Sequence, residues 1–287
     1  MPGAAPASQG AKSEFIGAEG LTVMHAGSPP NWSEARRYSV VIPVFNSAPI
    51  VGTTIERTLA FFDRRGWRCE IIAVNDGSTD RSWEVLRESA HISTRVTAID
   101  LAANHGQHAA TWCGLTRASG DFIVTLDDDL QYPPEEIARL IEKAEEGHDL
   151  VCGRFRRAGA PARSLASWTV GLLDRWLFHR PEGFVFTSFR LMRRDVVVRL
   201  CDYRLRDPYL RGLLVRCAAS PCNVWVTHQP RGVGRSGYNA IKIARFGLSM
   251  LRTYREISRG GRGSSPPVIA IREVVGRRAA SVDSAGA

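Results

Sequence analysis

The chain has 287 residues, 44% of them hydrophobic, and a formal net charge of +9 in which arginine predominates. That length can bury one sizeable core, and a basic balance suits an anionic partner (nucleic acid, a phosphorylated substrate or an acidic membrane surface) without choosing among them. No run approaches about 20 consecutive apolar residues, no charged-then-apolar signal pattern opens the chain, and the six cysteines form no Cys-x-x-Cys pair, so we expect a cytoplasmic chain with buried thiols rather than a spanning helix, a disulfide framework or a zinc site.

Residues 1–36 are rich in Ala, Gly, Ser and Pro and are expected to form a disordered leader. Tyr38–Val44 is a short β-branched run of the kind found in buried parallel strands. Ile55, Leu59 and Phe62 follow at helical spacing, and Glu70–Asp76 is a second buried strand. Ser78 or Thr79 is expected to cap the next helix, which carries Trp83 and Leu86. Val96–Leu101 is a third strand, with a helix over 107–118 after it, and Asp121–Asp127 a fourth. Pro133, Pro134, Glu135 and Glu136 open another helix, with proline and acids in the first turn, and Asp149–Gly153 is a fifth strand. This alternation predicts an α/β domain over residues 37–238, a mainly parallel sheet with helices on both faces, whose ligands bind at the carboxyl ends of the strands. Residues 239–258 read as a basic amphipathic helix, either lying on a membrane surface or packed on the domain. Residues 259–287 read as a disordered tail.

The sharpest chemical signal is Thr125-Leu-Asp-Asp-Asp-Leu-Gln131, an apolar strand running into three carboxylates. Side chains two apart on a strand share a face, so Asp127 and Asp129 are expected to converge with Asp128 turned aside. Crowded carboxylates repel unless a cation lies between them, and a hard divalent ion, Mg²⁺ or Mn²⁺, meets that need while also binding a diphosphate. The second signal is Val74-Asn-Asp-Gly-Ser-Thr-Asp80, which places Asp76 at the end of the second strand, before a tight turn. An acid there is able to accept a hydrogen bond from a base or a ribose hydroxyl.

Ile42-Pro-Val-Phe-Asn46, Val74–Asp80, Asn104-His-Gly-Gln107 and Leu126-Asp-Asp-Asp-Leu-Gln-Tyr-Pro-Pro134 occur in the order of the motif set of family 2 glycosyltransferases. The pattern resembles in particular the branch that holds dolichol-phosphate mannose synthases and other polyprenyl-phosphate glycosyltransferases. The resemblance runs from about Ser39 to Lys242 and implies the inverting, Rossmann-like fold called GT-A. It implies that Pro43, Val44, Asn46 and Asp76 contact the nucleoside, that Asp127 and Asp129 hold the metal and diphosphate, and that Gln131 lies by the donor sugar. Asn104 either supports that site or bonds its own loop. For the acceptor phosphate the resemblance points to Arg154, Arg163 and Ser167, and to Arg231 and Ser236 of a closing Arg-x-x-Gly-x-Ser motif that Lys242 follows. Arg163 has the alternative of a solvated arginine face. The stretch Arg157–Ala162 reads as a loop able to close over substrates, Ser188–Met192 resembles the family's Phe-Arg-Leu strand, and Arg211–Leu214 resembles its Arg-Gly-Leu helix.

Two departures bear on the acceptor. Membrane-bound relatives carry two spanning helices where this chain has the charged segment Ala240–Arg255, which opens a soluble acceptor as the alternative to a polyprenyl phosphate. Many relatives have an acid where this chain has Ser188. A hydroxyl acceptor needs a base and an ionised phosphate does not, so the serine favours a phosphate acceptor; Asp195 and Asp207 are the remaining candidate bases. The expected donor is a nucleoside-diphosphate sugar, UDP first and GDP next. No nucleic-acid partner is expected, because interleaved aromatics and a reading module are absent from the sequence. A non-catalytic nucleotide-sugar or membrane-surface binding protein is the reading from a different class.

Overall fold

The computed structural model describes residues 36–155, 165–203, 205, 209–229, 240–258 and 269–276, with the helical backbone alone described at 165–171 and 240–246. Strand β1 (Arg37–Val44) is buried from Tyr38 onward, as a central parallel strand must be. It pairs in parallel with β2 (Arg68–Asn75) on one side and β4 (Phe122–Thr125) on the other, and β3 (Val96–Leu101) runs parallel beyond β2. Past β4 come β5 (Leu150–Arg154), β6 (Arg190–Arg193) and β7 (Pro221–Trp225), and β8 (Ile271–Val275) closes the far edge. The order across the sheet is β7-β5-β6-β4-β1-β2-β3-β8, with β6 and β8 antiparallel to their neighbours and the other pairings parallel.

Helices cover both faces. On one, α1 (Ala48–Asp63), α2 (Ser82–Ile92) and α4 (Ile137–Glu145) press Phe61, Phe62, Leu86 and Leu140 onto Val40, Ile42 and Ile71. A 3-10 turn at Pro134–Glu136 leads into α4. On the other, α3 (Gln107–Leu115), α6 (Arg194–Cys201) and α7 (Leu210–Cys217) press Ala110, Leu200 and Leu213 onto Val41, Ile72 and Ile99. Gly114 governs how closely α3 approaches: a Cβ there would stand 2.3 Å from Val41 Cγ1. The remaining helices, α5 (Leu165–Phe178) and α8 (Ala240–Ser258), meet through Leu177, Phe178, Tyr209 and Met250. The described part of α8 thus packs on the domain with one face while Leu248 and Leu251 stay exposed on another. Among the described residues no helix is long and apolar enough to cross a membrane.

Two local expectations are corrected. Ser78 and Thr79 do not cap α2. Asp80 does that work: its Oδ1 accepts from the Ser82 amide at 3.0 Å and hydroxyl at 2.5 Å, and its Oδ2 accepts from the Ala48 amide at 3.0 Å, where α1 begins. One carboxylate therefore satisfies free amides of two helix starts. The second correction is to the tail, since Ile271–Val275 pairs with β3 as β8. Ile269, Ile271 and Val275 pack against the core, and the guanidinium of Arg272 donates to the buried Asp100 carboxylate at 2.8 Å. The Gly-, Ser- and Pro-rich stretch ahead of this run gives the region the composition of a tail and hides a β-branched strand within it.

Candidate active site

Because β6 is antiparallel, it starts where β4 ends, with Arg190 in register with Thr125. The approach of α3 to β1 brings Gln107 to the same place. Between them lies a cavity of about 260 Å³, lined by Pro43 at the end of β1, Gln107, His108 and Thr111 of α3, Thr125 to Asp127 after β4, Phe186 to Ser188 and Arg190 leading into β6, and Arg211 of α7.

Asp127 is the carboxylate of this cavity. Its Oδ1 accepts from Gln107 Nε2 at 2.7 Å, and its Oδ2 accepts from the Ser188 hydroxyl. Burial in the cleft pushes its carboxyl upward, the Ser188 hydrogen bond opposes this, and the negative charge of Asp129 adds to it. Strand alternation does not carry on to Asp129, as expected from sequence, because β4 ends at Thr125 and the chain turns, with Leu130 at φ 56°. Asp128 is indeed turned aside: it accepts from the Phe45 amide at 3.2 Å and the Ser47 hydroxyl at 2.5 Å, and burial raises its carboxyl to about 6. Asp129 Oδ1 takes the Gln131 amide at 3.1 Å, and the Gln131 carbonyl accepts from the Gln229 amide at 2.8 Å. Neither Asp129 nor Gln131 lines the 260 Å³ cavity.

The donor set around Asp127 and Asp129 suits a hard divalent cation. Both are oxygen donors, the negative charge of Asp129 reaches Asp127, and the named hydrogen-bond partners of Asp127 are a neutral amide and a neutral hydroxyl. Among the described residues no group of three or more His, Cys, Asp or Glu side chains is placed to enclose an ion. Two carboxylates that leave positions for substrate oxygens and water are the pattern by which Mg²⁺-type ions bind phosphorylated substrates.

Of the residues expected at the nucleoside, Pro43 lines the cavity. Val44 does not: its side chain is in the core and its carbonyl accepts from the Asp76 amide. Asn46, at φ 53°, holds two loops together, its amide donating to Ser78 Oγ at 3.0 Å and its Oδ1 accepting from the Thr79 amide at 2.8 Å. Asp76 is 2% exposed, and its two oxygens take the amides of His105 at 2.7 Å and Gly106 at 2.8 Å. Burial pushes that carboxyl up, against the pull of those amides. Asn104 is exposed, and its backbone lies against Gly77, where a Cβ would come within 2.6 Å of the Asn104 nitrogen. Gly77 adopts φ +64°, so this turn requires glycine on two counts.

On the acceptor side Arg154 does not line the cavity; its guanidinium lies over the Trp225 ring, 4.2 Å from the centroid. Arg163, Arg231, Ser236, Asp207, the loop Arg157–Ala162 and the side chains of Ser167 and Lys242 lie outside the described residues. Asp195 is no base here: it pairs with Arg193 at 3.2 Å and Arg199 at 3.1 Å and does not line the cavity. Sequence reasoning assigned no site role to Gln107, His108, Arg190 or Arg211, which the fold brings together from α3, β6 and α7. Arg190 is 3% exposed, and burial lowers its guanidinium to about 10, which leaves it charged at neutral pH.

A larger cleft of about 520 Å³ opens at the other end of β1 and β2, walled by Arg37, Trp67, Glu70 and Arg95. Its acids are already partnered: Asp63 pairs with Arg95 at 2.6 Å, and Glu70 accepts from the Ser39 and Ser119 hydroxyls. It lies at the strand starts, away from the carboxyl ends where sheets of this kind bind ligands.

The fold and the cavity define a class, the GT-A transferase architecture. The structure resembles mannosyl-3-phosphoglycerate synthase from Rubrobacter xylanophilus with a TM-score of 0.57 at 17% identity, covering 85% of this chain and 88% of that one. It also resembles glucosyl-3-phosphoglycerate synthase from Mycobacterium tuberculosis, solved with Mn²⁺, UDP-glucose and phosphoglyceric acid, with a TM-score of 0.56 at 18% identity, covering 83% of this chain and 89% of that one. The chain belongs to glycosyl transferase family 2, whose model matches residues 39–200, and is a glycosyltransferase. Among curated relatives, the undecaprenyl-phosphate 4-deoxy-4-formamido-L-arabinose transferase of Pectobacterium carotovorum subsp. carotovorum is 36% identical over 220 residues, 76% of this chain and 67% of the relative. The transferase of the same name from Pseudomonas aeruginosa is 36% identical over 211 residues, 71% of this chain and 61% of the relative.

Proposed function

We propose that this glycosyltransferase moves a sugar, with inversion, from a nucleoside-diphosphate sugar to a polyprenyl phosphate. The observation that carries the reading is the make-up of the cavity. Among the described residues its only carboxylate is Asp127, already engaged by Gln107 and Ser188, while two arginines face it. Such a cavity holds anions and offers no free carboxylate base; the ring of His108, also in its lining, is neutral but a weak base, because burial with the two arginines lowers it to about 4. A hydroxyl acceptor would need that base; a phosphate acceptor is ionised at neutral pH and attacks without one. Its oxygen bonds to the anomeric carbon as the bond from that carbon to the diphosphate breaks, and the nucleoside diphosphate leaves with the electron pair. Asp127 and Asp129 would hold a divalent cation, Mg²⁺ or Mn²⁺, which when bound supplies neutralisation of the leaving diphosphate. Gln107 and Ser188 fix the Asp127 carboxylate in place, so that the contribution of the protein is positioning and charge stabilisation.

The names of the 36% identical relatives, which specify undecaprenyl phosphate, support the lipid acceptor. So does the surface of α5 and α8, where Leu172, Trp176, Leu248 and Leu251 are exposed beside Arg175, Arg252 and Arg255, a combination suited to contact with an anionic membrane face. The test is a screen of UDP- and GDP-sugars with Mn²⁺ or Mg²⁺, run with and without a short polyprenyl phosphate. The expected result is a glycosylated lipid phosphate that forms only with the lipid and is lost on chelation. Transfer to a water-soluble acceptor without lipid would replace this reading with the soluble-acceptor one. Nucleotide binding without transfer or hydrolysis across all donors would make the chain a binding protein.

A further inference from the structure

We infer that Arg190 and Arg211, both held against the Phe186 ring, form a clamp for a phosphomonoester on the acceptor side of the cavity. The inference rests on the transferase reading above and adds the residues that would recognise the acceptor's anionic group.

Arg190 donates through Nη1 to the Thr187 carbonyl at 2.9 Å, yet among the described residues its buried Nε finds no acceptor and no carboxylate lies at ion-pair distance. Arg211 donates through Nη2 to the Phe186 carbonyl at 3.1 Å. The Phe186 ring stands 4.7 Å from the Arg190 guanidinium carbon and 5.2 Å from that of Arg211, so one aromatic side chain orients both cations. A buried guanidinium with no carboxylate at ion-pair distance is costly, and the positive charge of Arg211 in the same cavity adds repulsion. Asp127, the nearest acid of the cavity, is oriented by neutral donors instead. A doubly charged, three-oxygen group matches this arrangement, since guanidinium forks bind phosphate oxygens in pairs.

Strand order says which phosphate. Across the sheet the sequence is β6, β4, β1, β2. The loops expected to receive the nucleoside follow β1 and β2, and Asp127 follows β4. Arg190 begins β6, on the far side of Asp127 from the nucleoside. An in-line displacement needs its nucleophile opposite the leaving diphosphate; strand order puts Arg190 on that side, and Arg211 joins it there through the Phe186 ring.

The test is titration of the full chain with farnesyl phosphate, farnesol, glycerol 3-phosphate and UDP plus Mn²⁺, comparing wild type with Arg211→Gln and with Arg190→Lys, which keeps the buried charge and removes the fork. The expected result is a loss of farnesyl phosphate affinity of roughly 10- to 100-fold in Arg211→Gln, a smaller loss in Arg190→Lys, and UDP affinity within about 3-fold of wild type. Farnesyl phosphate affinity unchanged in both variants overturns the clamp while leaving the lipid acceptor standing. An equal loss for UDP also overturns it, moving the arginines to the donor diphosphate. Arginine-dependent binding of glycerol 3-phosphate, with farnesyl phosphate not bound even by wild type, upholds the clamp and removes the lipid reading.

Discussion

On the β1–β2 side of the cleft the acids at the strand ends are tied into the protein itself. Asp76 holds the His105 and Gly106 amides, Asp80 joins the starts of α1 and α2, and Asp128 holds the loop after β1. On the β6–α7 side the charged groups are arginines, and the buried Arg190 Nε has no acceptor among the described residues. The contrast separates scaffold from recognition. Carboxylates that accept from backbone amides and nearby serine hydroxyls set loop shape before any ligand arrives, whereas Arg190, held by the Thr187 carbonyl and the Phe186 ring, is left to meet a ligand. Asp127 stands at the boundary: it is oriented like the scaffold acids but faces the cavity like the arginines.

The substitution that should break this boundary most severely is Asp127→Asn. Metal-dependent transfer is expected to fall on the order of 100- to 1,000-fold with little change in melting temperature, measured with a labelled donor sugar. Loss of scaffold should instead appear as loss of stability. Gly77→Ala puts a Cβ against the Ala103–Asn104 backbone at φ +64° and should cost about 2–3 kcal/mol, read by chemical denaturation. Asp76→Asn removes one of two carboxylate acceptors and turns an amide toward a backbone N–H; about 1–2 kcal/mol is expected, read by the same method.

The smallest effect sharpens the arginine side. Burial in the cleft, with Arg190 and Arg211, pushes His108 from 6.5 down to about 4. The folded protein therefore keeps this ring neutral where the unfolded chain protonates it, so its share of stability is complete above about pH 6.5 and is lost as pH falls toward 4. Because the ring is open to solvent in the cavity, the share is expected to be below about 1 kcal/mol. In His108→Gln the decline of stability between those pH values should become shallower, measured by denaturation at a series of pH values.

Much of the scaffold was legible from sequence because buried parallel strands announce themselves as β-branched runs, as Tyr38–Val44 and Asp121–Asp127 do, and because helices carry their spacing with them. The short run ending in Val275 was not, since its neighbours in sequence suggest disorder and its partner β3 lies about 170 residues away. The site divides in the same way. Asp127 stands out because acids directly after an apolar strand are locally anomalous. Arg190 and Arg211 belong to the Phe-Arg-Leu and Arg-Gly-Leu motifs of the resemblance, but the motifs carry no role for them, and the antiparallel entry of β6 beside β4 is what brings Arg190 to the cavity. Register supplies what those motifs lack: a residue that begins a strand paired antiparallel to β4 lies beside whatever follows β4. Asp76 and Asn46 show the reverse limit, since motif position marked them for a ligand while their hydrogen-bonding groups hold neighbouring loops.

The most direct test is UDP binding by calorimetry with and without Mn²⁺, in wild type and in Asp127→Asn. If Asp127 anchors the cation that meets the diphosphate, Mn²⁺ tightens UDP binding in wild type and has no effect in the variant, while farnesyl phosphate binding is the same in both. If Mn²⁺ tightens UDP binding equally in both proteins, the cation is held elsewhere and the role given to Asp127 is wrong.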